Sequence, residues 1–141
     1  MTRRPLAGWL QRLSTTDARA KRRCDRAVRA LATALESGDE EGARRLLRDD
    51  SQLTIDTGGV IRVPATSARG RRAVAEALAA LWAANDVAAA TSHLVNGAPG
   101  LALQRADGRV VAVLTVAMLG ASIERLWVVV NPQKLRHWNE R

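Results

Sequence analysis

Apolar residues recur along this chain first at helical spacing and then at strand spacing. Cys24, Ala27, Val28, Leu31 and Leu35 share one side of a helix that Asp17 starts and that runs to about Ser37, where Gly38 stops it. Asp39 caps a short second helix, with Glu40 and Glu41 in its positively polarised first turn and Ala43, Leu46 and Leu47 turned inward. Leu53 and Ile55 alternate with Thr54 and Asp56, which predicts a half-buried strand over Gln52 to Thr57. Gly58-Gly59 breaks it, and extended structure resumes over Val60 to Val63. A third helix is predicted over Gly70 to Ala84, from Ala73, Val74, Ala77, Leu78, Leu81 and Trp82.

Beyond Asn85-Asp86 the period becomes two. Strands are predicted over Val87 to Val95, Leu101 to Arg105, Arg109 to Leu119 and Ser122 to Val130. They are separated by Asn96-Gly97-Ala98-Pro99-Gly100, by the hairpin signal Asp107-Gly108 and by Gly120. Asn131-Pro132 opens a short terminal helix through Trp138. Three helices in the N-terminal half, set to one side of an antiparallel sheet, make an α+β domain. The strand 109–119 is apolar on both faces, and the helices cover only one. A homodimer through the outer face is the expected cover for the other.

The chain has 141 residues, 47% of them hydrophobic, which suits one domain with its own core. Residues 1–16 read as a basic tail, with Leu6, Trp9, Leu10 and Leu13 able to dock on the body or a partner, and 17–141 as the domain. The longest apolar run, Val110 to Leu119, is about half a membrane span, and the segment after Arg3-Arg4 is too short for a secretory or twin-arginine signal. With one cysteine, Cys24, neither an intramolecular disulfide nor a cysteine-based zinc site can form. The expected location is the cytoplasm. No membrane partner is expected.

The net charge of +8 is unevenly placed. Residues 1–30 hold nine basic and two acidic residues, whereas residues 31–141 hold thirteen and twelve. Arg19, Arg22, Arg23, Arg26 and Arg29 fall within about 120° on the helical wheel, opposite the apolar stripe. This is either a solvated helix face in an arginine-rich chain or a partner-binding face for an acidic surface. Because the body is nearly neutral, a nucleic-acid partner is not expected.

The local sequences Val95-Asn96-Gly97-Ala98-Pro99-Gly100-Leu101, Asp107-Gly108-Arg109-Val110-Val111-Ala112-Val113-Leu114 and Val130-Asn131-Pro132-Gln133-Lys134-Leu135, in this order of elements, resemble SnoaL-like domains of the nuclear transport factor two superfamily. Within it they are most similar to the C-terminal regulatory domain of a group of extracytoplasmic-function sigma factors. The last segment is similar to that group's Asn-Pro-Asp-Lys-Leu signature, with Gln133 in place of Asp. Asp56-Thr57-Gly58-Gly59-Val60 resembles its Asp-Gly-Gly-Gly-Lys motif, with Thr57 and Val60 departing from it. The resemblance implies a cone of curved sheet closed by helices, and a non-catalytic ligand-binding or protein-interaction module that modulates transcription, with a sigma factor or other protein as partner. Only about twenty residues precede the fold, so the chain is not expected to read a promoter itself, and Met1 suggests a free-standing relative.

The same fold class hosts isomerases, cyclases and epoxide hydrolases that use a carboxylate in the cone, which makes small-molecule catalysis the alternative. The catalytic candidates would be Asp56 and His93. A ligand pocket would draw on Asp56, His93, Trp127, Arg125 and Met118 and take a small apolar ligand. An apolar cone would raise the pKa of a carboxylate inside it. Asp56 beside two glycines can equally cap a turn, Glu124 and Arg125 fall on opposite faces, and Trp127 is either a pocket wall or an interface residue. Having no tyrosine, the chain lacks phenol chemistry. With His93 and His137 its only histidines, neither a metal site nor a cofactor is expected.

Overall fold

The computed structural model describes residues 6–58 and 66–140, with side chains from residue 18 onward. Its helices are α1 (Leu6–Ser37), α2 (Glu40–Arg45), α3 (Arg71–Ala84) and α4 (Arg136–Asn139); its strands are β1 (Leu47–Asp56), β2 (Ser67–Arg69), β3 (Ala89–Val95), β4 (Ala98–Gln104), β5 (Val110–Leu119) and β6 (Ser122–Val129). The fold is α+β, a six-stranded curved, unclosed sheet packed against helices. Helix α1 begins eleven residues before Asp17, because the segment from Leu6 holds no proline to stop it. The predicted docking of Leu6, Trp9, Leu10 and Leu13 lies outside the described side chains, and the predicted extended segment Val60 to Val63 outside the described residues.

The strand order is β2-β1-β6-β5-β4-β3. Strands β3 to β6 form the expected antiparallel meander, turning at Asn96-Gly97, where both residues have positive φ, and at Gly108 and Gly120. Strand β1 joins the free side of β6 in parallel, setting Leu53 beside Leu126 and Ile55 beside Val128. Register breaks at Val111 in β5 and at Glu124 in β6 each add one residue on one strand, and such bulges bend a sheet.

Helix α1 crosses β3 and β4, and α3 lies on β1. The α1 stripe Cys24, Ala27, Val28, Leu31 and Leu35 meets Leu53, Ile55, Leu101, Leu103, Leu114, Leu126 and Val128 from the inner sheet face in one core. Asp39 caps α2 by accepting the Gly42 N–H at 2.9 Å. Arg71 fixes the start of α3 by donating to the Leu47 carbonyl at 3.0 Å and pairing with Asp49 at 2.7 Å. Glu36, from the end of α1, accepts the Ala90 N–H at 2.8 Å and so occupies a backbone donor of edge strand β3.

The outer face is covered in a way the hydrophobic pattern does not reveal. After Asn131-Pro132 the chain folds back, and Leu135 and Trp138 pack on Ala102, Val110, Val113, Val95 and Val129 in a second, smaller cluster. The Asn139 amide locks this strap down, accepting the Val110 N–H at 2.8 Å and donating to the Val110 carbonyl at 3.0 Å. The chain therefore covers much of the outer face of β4 and β5 itself, and the expectation that helices shield only one face is corrected to that extent. Trp127, 40% exposed, and Leu119, 48% exposed, remain open.

Candidate functional site

Alternation along β1 turns Leu53 and Ile55 to the core and Asp56 to the outer face, at the end of the strand. There the carboxylate Oδ2 accepts from Lys134 Nζ at 2.7 Å and Oδ1 from the Gly58 N–H at 3.0 Å. Its carbonyl accepts the Val130 N–H at 2.8 Å. The Lys134 ammonium bond lowers the Asp56 pKa against some desolvation, and the Gly58 N–H adds to the lowering. The raised pKa that an apolar cone would impose does not arise, because Asp56 stands outside it.

The two segments around this bond are pressed together. Asn131 Oδ1 accepts the Gln133 N–H at 3.0 Å, which holds the turn that carries Lys134. Gly58 has φ +66°, and a Cβ there would lie 2.5 Å from the Asn131 amide. Asp56-Thr57-Gly58 and Asn131 to Leu135 thus form one latch joining the end of β1 to the C-terminal strap. Lys134 as the partner of Asp56 escaped sequence reasoning, although both residues lie in segments the pattern had already singled out.

His93 is also on the outer face, exposed on edge strand β3. Its Nε2 lies 3.1 Å from Thr91 Oγ1, and its ring meets Trp138 edge-on, with centroids 5.4 Å apart at 85°. Strands β1 and β3 are separated by β6, β5 and β4, so Asp56 and His93 stand roughly 19 Å apart at about 4.8 Å per strand spacing. The structure does not bring them together. Trp127 lies between Thr54 and Thr115, and Arg125 between Gln52 and Ala117, on the same outer face. Met118 is on the other side, half-buried against the main core. Glu124 is the extra residue of the β6 bulge and is half-buried.

The inner face is filled by aliphatic side chains. Among the described residues the buried polar ones are Ser51 and Asn85, and the Ser51 hydroxyl has no hydrogen-bond partner. On α1, Arg19, Arg22, Arg23, Arg26 and Arg29 are exposed opposite the buried stripe. Arg29 pairs with Asp25 at 2.8 Å, whereas the other four form no ion pair among the described residues. Cys24 is buried beneath them, and burial raises its pKa, with Asp25 adding to the effect. No group of His, Cys, Asp or Glu among the described residues could hold a metal ion. No described helix is long and apolar enough to cross a membrane.

No family model matches the sequence, and no curated protein does. Solved structures do match. The extracytoplasmic function sigma factor SigJ of Mycobacterium tuberculosis aligns with TM-score 0.62 at 20% identity, over 91% of this chain and 50% of that one. A protein of unknown function from Mesorhizobium loti, described as similar to nuclear transport factor two, aligns with TM-score 0.55 at 13% identity over 79% of this chain and 93% of its own. The fold is nuclear transport factor two-like. A cystatin-like protein from Silicibacter pomeroyi gives TM-score 0.55 at 20% identity, covering 78% of this chain and 77% of that one. The chain spans half the length of the sigma factor it matches. Within the nuclear transport factor two-like fold, this chain presents a filled inner face, a latch at the end of β1, a C-terminal strap and an arginine stripe on α1.

Proposed function

We propose that the chain is a non-catalytic binding module that acts on a transcription factor of the sigma type by direct protein contact, and that it works as a homodimer. One observation carries this reading. The candidate acid and base, Asp56 and His93, stand apart on the outer face, while the inner face that would form a reaction chamber is packed with leucine and valine. A general base must reach its substrate with a free carboxylate, and Asp56 is both outside the cone and held by Lys134.

Four arginines that form no ion pair among the described residues, on one exposed helix face, favour an acidic protein surface as the contact. The likeness to SigJ over half of that sigma factor supports the sigma-type partner. The open outer face around Trp127, flanked by Thr54 and Thr115, is the surface for a second copy. Transcription reconstituted with extracytoplasmic-function sigma factors of the source genome tests the reading. Addition of the chain should change the output of at least one, and charge reversal at Arg22, Arg23 and Arg26 should abolish the change. Unaltered transcription with every such sigma factor would overturn it.

A further inference from the structure

The hairpin between β4 and β5 carries an arginine at each end of its turn. Arg105 and Arg109 flank Ala106-Asp107-Gly108, and the Arg105 N–H donates to the Arg109 carbonyl at 3.0 Å. Like charges placed across paired strands repel, and Asp107 is the one acid in the turn between these two. Asp107 spends a carboxylate oxygen on the Arg109 N–H at 2.9 Å. Among the described residues neither arginine forms an ion pair. Arg105 Nε reaches the Asn85 carbonyl at 3.4 Å, and the Arg109 side chain makes no hydrogen bond there. Asp86, beyond the end of α3, and Asp107, in the turn, are both exposed.

Both arginines border one cavity of about 300 Å³, set between the hairpin, the end of α3 and the C-terminal strap. Its floor is apolar, from Val111, Pro132 and Leu135 over the fully buried Val130, and Asn85 adds an amide at the wall. Small-molecule sites have this composition, an apolar surface with a few polar groups that fix orientation, and the volume lies at the small end of their range. Two guanidiniums at one rim match the planar fork of a carboxylate, and a bound carboxylate would remove the repulsion between them.

We propose that this cavity binds a small monocarboxylate with an apolar body, its carboxylate held by Arg105 and Arg109 and its body laid on Val111, Pro132 and Leu135. The site is distinct from the α1 face, so it can fail while the protein-contact reading stands, and the reverse. Octanoate, benzoate, octanol and inorganic phosphate are the probes, titrated into the full chain while methyl resonances are followed by NMR.

The expected result is saturable binding of octanoate or benzoate, with shifts centred on the methyls of Val111, Val130 and Leu135. Octanol and phosphate should bind at least tenfold more weakly. Arg105→Gln and Arg109→Gln should each weaken the acid at least tenfold while leaving Tm unchanged or higher, because each relieves the repulsion. Binding of neither acid overturns the proposal. So does equal binding of phosphate, which would make the site a plain anion sink, or binding of octanol that the arginine substitutions do not affect. A Tm that falls in both variants would make the arginines structural and overturns it too.

Discussion

Leu114→Ala tests whether the inner face is a core or a chamber. Leu114 is fully buried at the centre of the sheet, beside Leu101 on β4 and Val128 on β6. The substitution deletes three buried carbons, about 2.4 kcal/mol at roughly 0.8 kcal/mol each. The sheet backbone around the site is held by ladders on both sides and cannot collapse fully, so a residual cavity adds to this and the total becomes about 3–4 kcal/mol. For a domain of this length, each kcal/mol lowers Tm by about 3–4 °C, which gives a fall of about 12 °C. Thermal unfolding followed by circular dichroism, with a urea titration for the free energy, measures both. If Leu114 instead lined an open pocket, its truncation would remove few contacts. A loss below about 1 kcal/mol would therefore refute the packed inner face.

Gly58→Ala places a Cβ against the Asn131 amide at positive φ, and should cost about 1–3 kcal/mol in urea unfolding; an unchanged midpoint would contradict the latch. Because the folded-state pKa of Asp56 lies below its unfolded value, the stabilisation is complete above the ordinary carboxylate pKa and is lost as pH falls through the lower folded value. Lys134→Met should remove that part of the acid limb and leave the dependence above pH 6 unaltered, read from Tm against pH. Trp127→Glu should convert the proposed dimer to monomer in sedimentation at micromolar concentration, and a wild-type chain that sediments as monomer would dispose of the dimer. Asn139→Ala should free the strap and speed hydrogen exchange at Val110, whose amide the side chain occupies.

The meander was legible because two features agreed over residues 87–130, glycine turns and β-branched side chains. Strand β2 was not, since Ser67–Arg69 is too short to show a period. For the site, the signal was present on β1. Leu53 and Ile55 face the core, so parity already sent Asp56 outward. On β6 the same logic places Arg125 and Trp127 opposite Leu126 and Val128. His93 had no such guide, because β3 carries no apolar alternation. The Asp56 bond to Lys134 joins residues far apart in sequence, and local periodicity says nothing about such pairs. The C-terminal strap was hidden for a related reason: a four-residue helix cannot show an amphipathic stripe, yet Leu135 and Trp138 decide how much of the outer face stays open.

The central claim is that the chain acts through an exposed arginine face and not through a chamber in the cone. Its most direct measurement is the affinity of the chain for the sigma factor that responds to it. Wild type would be compared with the Arg22→Glu, Arg23→Glu, Arg26→Glu triple variant at two salt concentrations. The variant should bind at least tenfold more weakly, and the wild type should show a steep salt dependence that the variant lacks. Equal affinity of the two proteins at both salt concentrations would contradict it.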